Sequence, residues 1–225
     1  MAKVLPKPID GQLRKFSLRV PECIRECSGI MIFGKRIKSI VFTTDVAILR
    51  NVNADAAIAV YPFTPQPVIT QAILMAADIP VLVGVGGGLT QGKRVLGLSI
   101  NAESQGAIGV VLNAPTSNEV LQYVKQSIDI PTVITVVRED EDVAARIAAG
   151  ADIINVSAAT KTAEIVRQIR NDFPDVPIIA TGGPSDESIR KTIEAGANAI
   201  TWTPPSNGEV FRKVMDAYRN GEEHP

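Results

Sequence analysis

Histidine is nearly absent from this 225-residue chain: the single one, His224, stands in the C-terminal tail. With carboxylates also sparse at the ends of the apolar strands, a resident metal centre has few ligands to draw on, and none is expected. Cysteine is equally scarce. Cys23 and Cys27 are the only two, and their four-residue spacing stacks them on one helix face without specifying a disulfide or a metal site. They read as packing residues of a reducing compartment. No apolar run approaches membrane-spanning length, and Met1–Gly11 carries neither a long apolar stretch nor a small-residue cleavage pattern, so a cytoplasmic location is expected. Nor is there an excess of charge: 23 basic side chains face 24 acidic ones, for a formal charge of −1. That balance lacks the footprint a nucleic-acid phosphate backbone demands. The expected partner is a small molecule, with no nucleic acid and no membrane.

What the chain has in abundance is a repeat. Between Ser39 and Tyr218 a short apolar strand, a Gly/Pro/Thr/Asn turn and an amphipathic helix recur eight times. Strands are expected at Ser39–Thr43, Ala56–Tyr61, Pro80–Val85, Ala107–Asn113, Pro131–Val137, Asp152–Ser157, Pro177–Thr181 and Ala197–Thr203. Strands apolar along nearly their whole length and separated by helices belong to a parallel sheet covered on its outer face. Eight such units predict an α/β fold, a single (β/α)8 TIM barrel, with any active site at the C-terminal strand ends.

Residues 1–38 precede the repeat, 39–219 form the barrel, and 220–225 make a charged tail expected to fray. In the extension, Asp10-Gly11 is a turn signal and Val20-Pro21 precedes a predicted helix. Ile30–Phe33 followed by Gly34-Lys35-Arg36 predicts a short strand entering a turn. This segment is expected to close the bottom of the barrel or to join a subunit interface. Within the repeat, Asp78-Ile79-Pro80, Asp129-Ile130-Pro131 and Asp175-Val176-Pro177 are one device. Ala149-Gly150-Ala151-Asp152 and Ala195-Gly196-Ala197-Asn198 are another, and both punctuate strand starts. Thr116-x-x-Glu119 and Ser206-x-x-Glu209 have capping-box spacing and mark the starts of the fourth and eighth helices.

Polar residues in an otherwise apolar strand most cheaply face the barrel axis near its open end. That rule collects Thr43, Asn113, Thr135, Asn155, Ser157, Thr181, Thr201 and Thr203, none of them charged. The upper strands hold no Lys, Asp, Glu or His, which argues against a strand lysine Schiff base or a carboxylate pair on the wall. Ionisable groups must come from loops: Asp45 after the first strand, Arg138 and Glu139 after the fifth, Lys161 after the sixth. Asp45 is the preferred acid or base, with helix N-capping as its alternative role. Asn113 is expected to orient substrate. Lys161, read as lying in the first turn of a helix against the dipole, suggests a nearby anion.

Two turns at the usual barrel phosphate position are glycine- or hydroxyl-rich: Thr181-Gly182-Gly183 after the seventh strand, and Thr203 with Ser206-Asn207-Gly208 after the eighth. They are the expected anion cradle. Gly84–Arg94 is richer still. Gly86, Gly87 and Gly88 are candidates for close backbone approach to a ligand, with Lys93 or Arg94 near an anion. Gly87 to Lys93 matches the glycine and lysine positions of a Walker A loop, but Arg94 stands where a magnesium-binding hydroxyl is needed. P-loop nucleotide hydrolysis is therefore not expected.

Through Ile178–Gly183, through Ala195-Gly196-Ala197-Asn198-Ala199-Ile200 and through the repeat itself, the chain resembles the phosphate-binding (β/α)8 barrel superfamily. More narrowly, residues 31–39 (Met-Ile-Phe-Gly-Lys-Arg-Ile-Lys-Ser) and 59–65 (Ala-Val-Tyr-Pro-Phe-Thr-Pro) look like a little-characterised bacterial barrel family commonly called hydrolase. The resemblance implies an enzyme acting on a small phosphorylated metabolite, hydrolase slightly ahead of isomerase or lyase; a homo-oligomer is expected because exposed apolar residues on barrel helices commonly support symmetric assemblies. Aldolase-type members use a strand lysine that is missing here. Two alternatives stand beside it: a non-catalytic sensing barrel similar to the glycerol-responsive antiterminator family, and an FMN-binding oxidoreductase. No other cofactor is expected.

Overall fold

The architecture comes from a computed structural model that describes residues 5–7, 9, 11 and 18–224. Asp10 of the anticipated Asp10-Gly11 turn lies outside the described residues. Among the described residues the first regular element is a short 3-10 helix, Glu22–Glu26, at the position where a helix is expected after Val20-Pro21. Cys23 and Cys27 are both buried and unbonded to each other, as packing residues. Burial is the main reason the Cys27 thiol is pushed up to about 12, which makes it a poor nucleophile. A hairpin follows, β1 (Ile30–Ile32) and β2 (Lys35–Ile37). Its two-residue turn places both Phe33 (φ 45) and Gly34 (φ 78) in the left-handed region that tight hairpins require.

Eight parallel strands then close into a barrel: β3 (Ser39–Phe42), β4 (Ala56–Ala59), β5 (Val81–Gly86), β6 (Gly109–Leu112), β7 (Thr132–Val136), β8 (Ile153–Val156), β9 (Ile178–Thr181) and β10 (Ala199–Trp202). The last pairs with the first, Ile200 opposite Ser39 and Trp202 opposite Val41. The intervening helices are α1 (Val46–Arg50), α2 (Pro67–Ala76), α3 (Lys93–Ser104), α4 (Asn118–Lys125), α5 (Val143–Ala148), α6 (Thr162–Asp172), α7 (Asp186–Glu194) and α8 (Asn207–Arg219).

Alternation along the strands makes two cores. Outward residues such as Val41, Leu112, Ile134 and Ile154 pack with the helices, and inward Ile40, Ile58, Leu82, Val111, Val133 and Ile179 fill the barrel. The hairpin contributes Ile30, Ile32 and Ile37 to this inner cluster. Each fully buried aliphatic side chain contributes about 1.5–3 kcal/mol. The hairpin thus seals the N-terminal end, tied there by Gly29 N–H donating to the Asn198 carbonyl at 2.9 Å.

The strand-start motifs turn out to do more than punctuate. Asp152, just before β8, accepts from the amide of Thr132 in β7 at 2.8 Å, and Asn198, before β10, accepts from Ile178 in β9 at 2.9 Å. Asp55, before β4, accepts from Ser39 in β3 at 2.9 Å. Each side chain satisfies a strand-start amide that the neighbouring strand does not reach. Gly150 and Gly196 lie beneath the stems of Lys125 and Arg170, which a Cβ would strike at 2.6 and 2.8 Å.

One capping expectation is off by a residue. The N-cap of α4 is Ser117, which accepts from Val120 N–H, while Thr116 donates its hydroxyl to the Asn113 carbonyl. The Ser206–Glu209 box at α8 is formed as expected. In the tail, His224 hydrogen-bonds Tyr218 at 2.7 Å; Pro225 lies outside the described residues.

Candidate functional site

At the C-terminal rim the inner aliphatic layers give way to a neutral polar layer. Asn155 donates to Thr135 Oγ1 at 3.1 Å, Thr135 donates to Asn113 Oδ1 at 3.0 Å, and Thr181 donates to Ser157 Oγ at 3.2 Å. These strand residues are the ones expected from alternation. Thr43 is displaced from the inward row: Val41 faces the helices, so Phe42 takes the inward position, and both Phe42 and Thr43 line the mouth. Thr43 Oγ1 instead accepts from the Asp45 amide at 3.1 Å, which shapes the loop. Thr201 differs from its neighbours. Its Oγ1 is buried without a hydrogen-bond partner among the described residues, a state that costs about 1–3 kcal/mol when nothing fills it.

Above this layer lies a cavity of about 1050 Å³, over the ends of β10, β3, β4 and β5. Its walls are largely apolar, with Phe42, Tyr61, Phe63, Leu89, Pro204 and Pro205 prominent. Tyr61 Oη accepts from Gln66 N–H at 2.9 Å and fixes the loop after β4; Thr90 donates to Thr64 at 3.2 Å and joins that loop to the next. Polar groups on the walls include Asp45, Thr90, Asn113, Thr203, Ser206 and Asn207. Among the described lining residues there is no lysine, arginine or histidine.

Asp45 is the N-cap of α1 and also lines the cavity. Its Oδ1 caps α1, accepting from Ala47 and Ile48 N–H at 2.8 and 3.2 Å, and leaves Oδ2 uncommitted beside the cavity. Lys161 is elsewhere. It ends a 3-10 turn, Ala159–Lys161, and binds Glu139 at 3.0 Å, across the barrel from the cavity. The anion inferred beside it is therefore this carboxylate, whose hydrogen bond raises the lysine's pKa. Arg138 is likewise engaged, with Asp140 at 2.9 Å.

The glycine loop after β5 is a folded turn rather than a free cradle. Gly87 N–H donates to the Thr90 carbonyl at 3.0 Å and Gly88 N–H to Ala114 at 3.4 Å. Glycine is required at position 87, where φ is 114° and a Cβ would lie 2.7 Å from the Asn113 carbonyl oxygen. Gly86 and Gly88 line the cavity with it, whereas exposed Lys93 and Arg94, at the start of α3, do not.

The two-loop anion cradle is divided. Ser206 and Asn207 line the large cavity, whereas Thr181 and Gly183 line a separate hollow of about 360 Å³, together with Ser185 and Thr201. Thr203 borders both. The Gly182 amide is directed at the Thr201 carbonyl, 3.3 Å away. The amides of Asn207 and Gly208 open α8 and have no intrahelical acceptor. Glu209 occupies part of that helix end: its Oε2 accepts from Ser206 N–H at 2.8 Å and from Ser206 Oγ at 2.6 Å. Those bonds hold its carboxyl below the usual range.

Residues that sequence reasoning missed here are Phe42, Phe63, Thr90, Glu209 and Pro21, the last reaching the small hollow from the N-terminal segment. Strand alternation could have found Phe42. Nothing local marks the others.

No protein-family model and no curated protein matches the chain. Solved structures do. A 2,3-dimethylmalate lyase of the PEP mutase/isocitrate lyase superfamily superposes with a TM-score of 0.62 at 15% identity, over 93% of this chain and 87% of that one. A phosphonopyruvate hydrolase in complex with oxalate and Mg2+ gives 0.62 at 14%, over 83% and 84%. A phosphoenolpyruvate phosphomutase from Streptomyces platensis subsp. rosaceus gives 0.62 at 13%, over 82% and 83%. The carboxylates on the large cavity are Asp45 and Glu209, each bound to a helix start. Among the described residues no group of three or more His, Cys, Asp or Glu converges. At these identities the likeness is one of fold: this chain is a closed (β/α)8 barrel, the architecture also seen in members of the PEP mutase/isocitrate lyase superfamily.

Proposed function

We propose that the chain is an enzyme acting on a small phosphorylated metabolite at the C-terminal mouth, with hydrolysis preferred to isomerisation or carbon–carbon cleavage. The observation that carries this reading is that Thr201, a residue lining the hollow between the β9 and β10 loops, has a buried hydroxyl with no partner among the described residues. A phosphate oxygen there supplies the missing acceptor. The Gly183 amide and the Thr203 hydroxyl are the remaining donors of this hollow, and Thr203 also borders the large cavity, where the start of α8 at Ser206 and Asn207 adds partial positive charge. Asn113, held by Thr135, orients the organic portion. Asp45 moves the proton through Oδ2, with Oδ1 anchored on α1 so that its position is set before substrate arrives. Preference for hydrolysis follows the resemblance to the barrel family commonly called hydrolase.

A second reading, a sensing barrel without catalysis, is favoured by one observation: each ionisable group near the mouth also has a structural partner. Mass spectrometry of ligand released from protein purified out of cells, followed by phosphorus NMR after that ligand is returned, separates the two. Appearance of a new phosphorus signal is expected. An intact ligand after prolonged incubation supports sensing, and a protein that neither carries nor turns over any phosphorylated compound overturns both.

A further inference from the structure

The large cavity presents a problem of charge to any phosphorylated guest. Its described lining holds two carboxylates, Asp45 and Glu209, and no cationic side chain. Both acids are anchored by amides at helix starts, and the Ser206 bonds keep Glu209 ionised at neutral pH. Lys161 and Arg138, across the barrel, are paired with Glu139 and Asp140, and Arg212, on the next turn of α8, acts on Glu209 from outside the cavity lining. Within the cavity itself an anion with a neutral body would meet like charge and no lining cation. Meanwhile Phe42, Tyr61 and Phe63 present aromatic surface to the same space, which attracts positive charge as well as apolar groups.

We infer that the substrate is zwitterionic: alongside its phosphate it carries a positively charged nitrogen, which lies in the large cavity against Glu209 and the aromatic walls. The inference rests on the phosphate reading above and adds the identity of the other end. Glu209 is the partner of choice because Oε2 is spent on Ser206 while Oε1 has no bond, and because Asp45 is then left for proton transfer. With β10 paired to β3, the end of β3 that carries Phe42 and the start of α8 that carries Glu209 follow neighbouring strands, and both residues line the cavity. At about 1050 Å³ the cavity has room for a body larger than a bare aminoalkyl chain.

Calorimetric titration with two matched pairs tests this: phosphocholine against 3,3-dimethylbutyl phosphate, and phosphoethanolamine against propyl phosphate, with inorganic phosphate as the common reference. The charged member of each pair is expected to bind roughly ten-fold more tightly. In Glu209→Gln, which keeps the capping-box geometry, that preference should shrink to about two-fold or less, while Asp45→Asn preserves it. Phe63→Ala, at an exposed position, should weaken the charged members alone. Equal or tighter binding of the neutral members overturns the inference and leaves the phosphate reading standing. Failure of all five compounds to bind removes the phosphate reading, and this inference with it.

Discussion

Glu209 Oε2 lies 2.6 Å from Ser206 Oγ and also takes the Ser206 amide, so the carboxylate that caps α8 occupies a helix end where barrels often hold phosphate. Its pKa in the fold is lowered by these bonds from the ordinary value of 4.5. A depressed carboxylate stabilises the fold above its unfolded pKa, and the benefit is lost as pH falls through the folded value. The difference in denaturation midpoint between the wild type and Glu209→Gln should therefore be constant near neutrality, shrink as pH falls below 4.5 and vanish once pH is under the lowered folded value. A difference that grows on acidification contradicts the assignment.

Asp45 offers two separable effects. Asn is as good an N-cap as Asp, so Asp45→Asn should leave thermal stability within about 0.5 kcal/mol while lowering turnover about 100-fold or more. Asp45→Ala should lose the cap as well, at about 1 kcal/mol. Unchanged turnover in Asp45→Asn removes this residue from the mechanism.

Thr201→Val replaces a buried, unpartnered hydroxyl with an apolar group of the same shape. Ligand-free protein should be as stable as the wild type or more so, because the desolvation penalty of about 1–3 kcal/mol disappears. Affinity for the phosphorylated ligand should fall several-fold. A stability loss above about 1 kcal/mol by denaturant titration would mean that the hydroxyl already has a partner.

The glycine loop can be probed by position. Gly87→Ala must both hold φ near 114° and push against the Asn113 carbonyl, so it should cost more than about 1 kcal/mol and disturb the rim. Gly88→Ala, with φ 55° and open space around its Cβ, should cost about 1 kcal/mol and leave Asn113 in place. Chemical denaturation of the two variants gives the ordering.

Lys161→Met breaks only an exposed ion pair with Glu139. Stability should change by less than about 0.5 kcal/mol and turnover should stay at the wild-type level. A large loss of turnover would restore Lys161 to the active site.

The barrel was legible because its cause is local. Period-two burial and apolar strands recur at a fixed spacing, so the eight strands and the inward set Asn113, Thr135, Asn155 and Thr181 follow from alternation. The Ser206 cap was legible for the same reason: donor and acceptor are three residues apart. Phe42 was obscured by the register of a single strand, and Thr43 was chosen in its place because it is polar. Whether Gly87 N–H meets a ligand or the Thr90 carbonyl depends on a turn whose closure glycine content does not reveal.

By itself, then, the order of residues determined the closed parallel sheet and the neutral polar layer at the C-terminal ends of its strands, since each arises from interactions between near neighbours along the chain. Only the tertiary structure decided that Lys161 answers Glu139 across 22 residues, that Thr201 is left without a partner, and that the mouth divides into a large acidic, aromatic-walled cavity and a smaller hollow. Those outcomes turn on which loops from distant parts of the chain meet, and pairing between distant groups is set by packing rather than by spacing.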